Sequence, residues 1–176
     1  MPPIIPQIIG IIAVITYLSS YQIKHRKGII ISNVISRVLY ILQYLLLGAF
    51  SGAVLDVLGA VASVLAERSD RPFIKKHRRT VIIASNVAIV GAGLAVCIIS
   101  KNPLDLLPIV GVVLQVGAFW FSDERKIRIV SLIGTPFWFI YNLASRAYGS
   151  SIGDVFTMLS IIIAMIKYRK KAEKAN

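Results

Sequence analysis

Long apolar runs alternate with short basic connections along this chain, and that alternation leaves few folds open to it. A bilayer core calls for about 20 mostly apolar residues per helix. Seven runs approach that length: 4–23, 29–48, 50–66, 80–99, 104–121, 127–145 and 151–167. The third and fifth are the shortest. Soluble domains carry about a quarter charged residues. Here 16% are charged and 56% hydrophobic, so a soluble bundle would lack polar residues to cover its surface. The pattern predicts an all-α polytopic membrane protein with seven transmembrane helices, and lipid bilayer as its surroundings. The first run is too long, and lacks the basic leader, to read as a cleavable signal peptide.

The net charge of +12 would suggest nucleic acid in a soluble protein. These basic residues instead flank the apolar runs, so no nucleic-acid partner is expected. Lys24, Arg26 and Lys27 lie in the first connection; Arg68, Arg71, Lys75, Lys76, Arg78 and Arg79 in the third; Arg125, Lys126 and Arg128 in the fifth. Lys167, Arg169, Lys170, Lys171 and Lys174 lie in or beside the tail. Only Lys101 and Arg146 fall on the opposite side, and Arg37 falls inside a run. By the positive-inside rule the amino end is outside and the carboxyl end cytoplasmic. Cys97 is the single cysteine, in an apolar run, and reads as packing.

A shift of 101 residues aligns the two ends without a gap. Gly10 meets Gly111, Lys24 and Lys27 meet Arg125 and Arg128, Tyr40 meets Tyr141, Gly48 meets Gly149, and Gly52 meets Gly153. Two three-helix units can share one orientation only when an odd number of helices joins them. The expected organisation is therefore 3+1+3: a first triple-helix repeat at 1–68, a basic loop and linker helix at 69–101, a second repeat at 102–169 and a basic tail at 170–176. Parallel repeats of this kind place transporter sites near the midplane, at the repeat interface.

The second run carries Asn33, Ser36, Arg37, Tyr40, Gln43 and Tyr44 at helical spacing, on one face. The sixth carries Gly134, Trp138, Tyr141, Asn142 and Ser145, and the fifth adds Gln115. Large polar and aromatic residues do not promote close backbone approach, so these faces are expected to line a cavity. The small residues of the third and seventh runs (Gly52, Asp56, Gly59, Ser63; Gly153, Thr157, Ser160, Ala164) read as helix–helix contact surfaces. Arg37 lies about eight residues, or roughly 12 Å, into its helix, where a charge needs a partner or a cavity. Asp56 is the expected partner; contact with a solute is the alternative, and the two are compatible. Asp154 reads as a helix-start residue. Pro136, well inside its run, and Gly134, two residues before it, are the hinge candidates; Pro6 and Pro108 sit near helix starts.

Asn33, Arg37, Tyr40, Asp56, Gln115, Trp138, Tyr141 and Asn142 are thus the candidate cavity residues. The sequence holds no P-loop, dinucleotide fingerprint, zinc motif or nucleophile elbow. His25 and His77 lie in basic loops. No enzyme activity, catalytic residue, metal or cofactor is expected.

The segments "LLGAFSGA" at 46–53, "NPLDLLPIVG" at 102–111 and "WFIYNLASRAYGSSIGD" at 138–154, with Gln7 and Gly10 before them, resemble the bacterial YgjV inner-membrane proteins over nearly the full chain. The resemblance implies a bacterial cytoplasmic membrane location. The wider relatives, SWEET and PQ-loop proteins, imply the same 3+1+3 arrangement, with intrahelical prolines as hinges. Pro136 matches one such position, and Ile35 stands at another. The leading functional expectation is a transporter or facilitator of a small polar or anionic solute, working by alternating access. A non-transporting receptor or interaction scaffold and a lipid-handling protein are the alternatives. Oligomeric state is left open.

Overall fold

The computed structural model describes residues 4–173, with side chains through Lys167; Lys174 lies outside the described residues. Nearly all of that stretch is helical. The helices are α1 (Ile4–Gln22), α2 (Arg26–Leu47), α3 (Phe50–Glu67), a short α4 (Pro72–Lys76), α5 (Arg78–Ser100), α6 (Leu106–Ala118), α7 (Glu124–Ala144) and α8 (Tyr148–Glu173). A 3-10 turn at Pro103–Asp105 precedes α6. Among the described residues, six helices are long and apolar enough to cross a membrane, and the apolar stretch Pro103–Ala118 is shorter.

Local chemistry sets the ends. Gly48 takes the left-handed conformation (φ 71°) after α2, where a residue lacking Cβ is unstrained. Asp123 caps α7 by accepting the Arg125 N–H at 2.8 Å. Several helices begin a few residues earlier than the apolar runs, taking basic residues into their first turns. Basic first turns oppose the helix dipole. Antiparallel neighbours offset this by placing carbonyl-rich helix ends alongside. Arg26, at the start of α2, donates to the carbonyls of Ala66 (2.7 Å), Phe119 (2.7 Å) and Phe121 (3.1 Å). Arg128, in the second turn of α7, donates to the Ile23 carbonyl at 3.2 Å.

The helices close a ring. α1 packs on α2 and α8, α2 on α3, α3 on α6, α6 on α7, and α7 on α8. α5 lies outside it, against α3 and α6, and buries little beyond Ile89 and Gly93. The outer surface is apolar, with Ile15, Leu46, Val87, Ile133 and Ile163 all exposed, as suits lipid. Asn33, Arg37, Gln43, Asp56, Gln115 and Asn142 are buried inside it.

Burial repeats along the chain, at an offset of 98 residues. The buried set of α2 is Ile29, Ile30, Asn33, Ser36, Arg37, Tyr40, Gln43 and Tyr44; that of α7 is Ile127, Arg128, Ser131, Gly134, Thr135, Trp138, Tyr141 and Asn142. Position for position, the two sets coincide. In α3 and α8, Ala53, Leu55, Asp56 and Gly59 correspond to Ser151, Gly153, Asp154 and Thr157, all buried. The turns agree as well: Gly48 N and Ala49 N bond to the Leu45 and Tyr44 carbonyls, as Arg146 N and Ala147 N bond to those of Leu143 and Asn142. Arg146 (φ 58°), not Gly149, takes the left-handed position equivalent to Gly48. The offset of 101 is therefore corrected to 98. The error is close to one helical turn, over which an apolar helix of period 3.6 nearly matches itself.

Candidate functional site

The inward faces of α2, α3, α6, α7 and α8 converge on a buried polar cluster. Arg37, 3% exposed, reaches three neighbours. Its Nε donates to Asn33 Oδ1 at 3.0 Å, one turn away on α2. Its Nη1 is paired with Asp56 on α3. Its Nη2 donates to Gln115 Oε1 on α6 at 3.0 Å. The guanidinium thus ties three helices together. Gly59 makes room for it, since a Cβ there would lie 2.6 Å from Arg37 Nη1.

Across the ring a second chain of bonds runs from α2 through α7 to α8. Tyr44 OH donates to Asn142 Oδ1 at 2.6 Å, and Asn142 Nδ2 donates to Asp154 Oδ2 at 2.8 Å. Around these groups stand aromatic rings. Tyr40 stacks on Tyr44 (centroids 6.2 Å apart), Tyr44 stacks on Trp138 (6.1 Å), and Tyr17 meets Tyr40 edge-on. Tyr17, Ser36, Arg37, Tyr40, Tyr44, Asp56, Gln115, Trp138, Asn142 and Asp154 line one cavity. The free space among them is about 20 Å³, room for about one water molecule.

Six of the eight candidate residues therefore line this cavity: Arg37, Tyr40, Asp56, Gln115, Trp138 and Asn142. Asn33 stands behind, holding Arg37. Tyr141 links inward and outward. Its ring meets Tyr44 and Trp138 edge-on, while its hydroxyl accepts the Gly52 N–H at 2.9 Å and shares a 2.6 Å bond with Ser51. Ser51 in turn donates to Asp105 at 2.7 Å. Gly134 packs α7 against α6, where a Cβ would sit 3.2 Å from the Gly111 carbonyl oxygen. α7 runs unbroken through Pro136.

Asp154 corrects the sequence reading. Because α8 begins at Tyr148, Asp154 stands in its second turn and not at its start. It is buried at 5% exposure and forms part of the cavity wall. Its signal in sequence was available only through the correct offset, which makes it the counterpart of Asp56. Tyr17, Ser36 and Tyr44 also line the cavity outside the candidate set; Ser36 and Tyr44 belong to the polar face that the spacing predicts on α2.

Each end of the cluster is spanned by bonds between α1–α3 and α6–α8. Toward the basic end, Arg26 bonds the α6 end and Arg128 the α1 end. At the other end, Gln7 Nε2 donates to the Arg146 carbonyl (3.3 Å), and Gln7 Oε1 accepts the Gly149 N–H (3.1 Å). The Ser51–Asp105 bond is the counterpart of that last contact, since Ser51 and Gly149, and Gln7 and Asp105, are each 98 residues apart.

An apolar outer surface around an inward-facing polar cluster defines a polytopic helical membrane protein. The chain belongs to the Imp-YgjV family, bacterial inner membrane proteins, whose family profile matches residues 4–172. No curated protein and no solved structure significantly matches it.

Proposed function

We propose that this protein is a transporter or facilitator for a small polar solute, in which two three-helix halves, α1–α3 and α6–α8, move against each other around the central cavity. The observation that carries the reading is the buried cluster itself: an arginine and two aspartates where both halves meet, at the repeat interface. Ionisable groups at membrane depth are costly and mark solute or ion pathways. The repeat supports the arrangement, because the α1–α8 and α3–α6 contacts exchange under the 98-residue offset.

In this reading α5 is the linker, the apolar stretch Pro103–Ala118 is a seventh crossing, and the chain has a 3+1+3 organisation. The 13 residues of α6 span only about 20 Å; the preceding turn and local bilayer thinning supply the rest. The amino end faces outward and the basic end faces the cytoplasm, following the positive-inside rule. The bonds at both ends, made by Arg26, Arg128, Gln7 and Asp105, would then be the gates of an occluded state. Pro136 leaves the Leu132 carbonyl without its helical donor and would serve as a bending point in α7. We assign the protein no covalent chemistry.

The test is uptake into proteoliposomes across a panel of sugars, carboxylates and amines. The expected result is protein-dependent flux of at least one solute, reduced by Asn142→Leu. Absence of flux for every solute would overturn transport. The close Arg37–Asp56 pairing and the small free volume favour a second reading, a non-transporting receptor on the same scaffold, which would bind without flux.

A further inference from the structure

Resting on the proposal that the central cavity is a solute site, we infer that its ligand is a small organic cation, a primary or quaternary ammonium. Three observations carry the inference. The first is charge. Asp56 and Asp154 are counterparts under the 98-residue repeat, and both line the cavity. Asp56 is neutralised by Arg37, with which it forms an ion pair. The counterpart of Arg37 is Thr135, which has no charge and turns its hydroxyl to the Ser131 carbonyl at 2.9 Å. The second half thus keeps the carboxylate and lacks the cation.

The second observation is how Asp154 is held. Asn142 Oδ1 receives the Tyr44 hydroxyl proton, so the Asn142 amide N–H is directed at Asp154 Oδ2. That bond positions the carboxylate without neutralising it. A buried carboxylate with no cationic partner is costly, and a cationic ligand would remove that cost. The third observation is the wall. Tyr17, Tyr40, Tyr44 and Trp138 surround the carboxylates, and aromatic faces with an acidic neighbour form the recognition chemistry of ammonium groups. An anionic solute would meet Asp154 and would have to displace Asp56 from Arg37. The space now free holds about one water, so the cation enters as the halves part.

The test uses the full chain purified in detergent, with thermal stability and calorimetry as readouts. Choline and ethanolamine are compared with their neutral counterparts, 3,3-dimethylbutanol and ethylene glycol, and with glycolate. The expected result is stabilisation and binding at least about tenfold tighter for the cations, the scale of a desolvated cation–π and charge contact. Asp154→Asn should remove that preference, while the exposed Asp70→Asn keeps it. Equal or tighter binding of the neutral compounds or glycolate, no binding of any compound, or an undiminished cation preference in Asp154→Asn would each overturn the inference. If Asp154→Asn does not fold, the comparison of compounds on the unaltered chain still decides. Flux of a neutral or anionic solute without cation binding would remove this inference and leave transport standing. Cation binding without flux would do the reverse.

Discussion

Arg37 gathers Asn33, Asp56 and Gln115 from three helices, and its contribution depends on all of them. Removing one partner of a buried pair leaves the other charge uncompensated, at a cost of about 3–5 kcal/mol, whereas replacing both with apolar residues is often neutral. Arg37→Met and Asp56→Leu should therefore each lower the unfolding midpoint in detergent markedly, and the double variant should recover most of the loss. Additive losses in the double variant would show that the two side chains are not coupled. At this scale the sequence was informative where a residue broke its surroundings. A lone arginine inside an apolar helix demands explanation, and its partner was the nearest acid in the next helix. Asp154 was not legible in the same way. An acid a few residues from the edge of an apolar run resembles a helix-start residue, and only the true start of α8 at Tyr148 moves it inward.

Helices in lipid gain nothing from burying apolar surface against one another, so their contacts rest on close packing and interhelical bonds. Gly153 shows this on α8: a Cβ would lie 2.1 Å from a Val14 methyl and 2.8 Å from Val14 Cβ. The latter is too near the backbone for a rotamer change to relieve, so α1 and α8 would have to separate. Gly91 on α5 has open space around it. Gly153→Ala should thus destabilise the protein by about 1–3 kcal/mol, in the range of overpacked cores. Gly91→Ala should be neutral or stabilising by up to about 1 kcal/mol, from helix propensity alone. The pair can be read side by side in thermal unfolding, and equal effects would contradict the packing described here. The apolar runs made the main helices legible, with starts displaced by a turn or less. The short α4 was hidden, because five residues amid a basic loop leave no periodicity. An offset of 101 fits the sequence nearly as well as 98, because apolar helices nearly superpose after three or four residues. The burial pattern, which registers which face turns inward, resolves that ambiguity.

For the whole molecule, the six helices α1–α3 and α6–α8 form a ring whose interior holds Arg37, Asp56 and Asp154 and whose ends are tied by matching bonds. Its all-helical class and membrane setting were legible in composition and spacing; the ring and the central cavity depend on which faces meet, and a single sequence does not record that. In the proposed transport cycle the two halves open the cavity to each side of the membrane in turn. Because Cys97 is the single cysteine, Cys97→Ala supplies a background free of thiols. Ser36, fully buried in the cavity wall, is then replaced by cysteine. A membrane-impermeant thiol reagent is applied from each side of oriented vesicles. Alternating access predicts labelling from both sides, in a ratio that shifts when a transported solute is present. A cysteine at position 36 that stays unreactive from both sides, while one placed at exposed Lys101 is labelled, would contradict it.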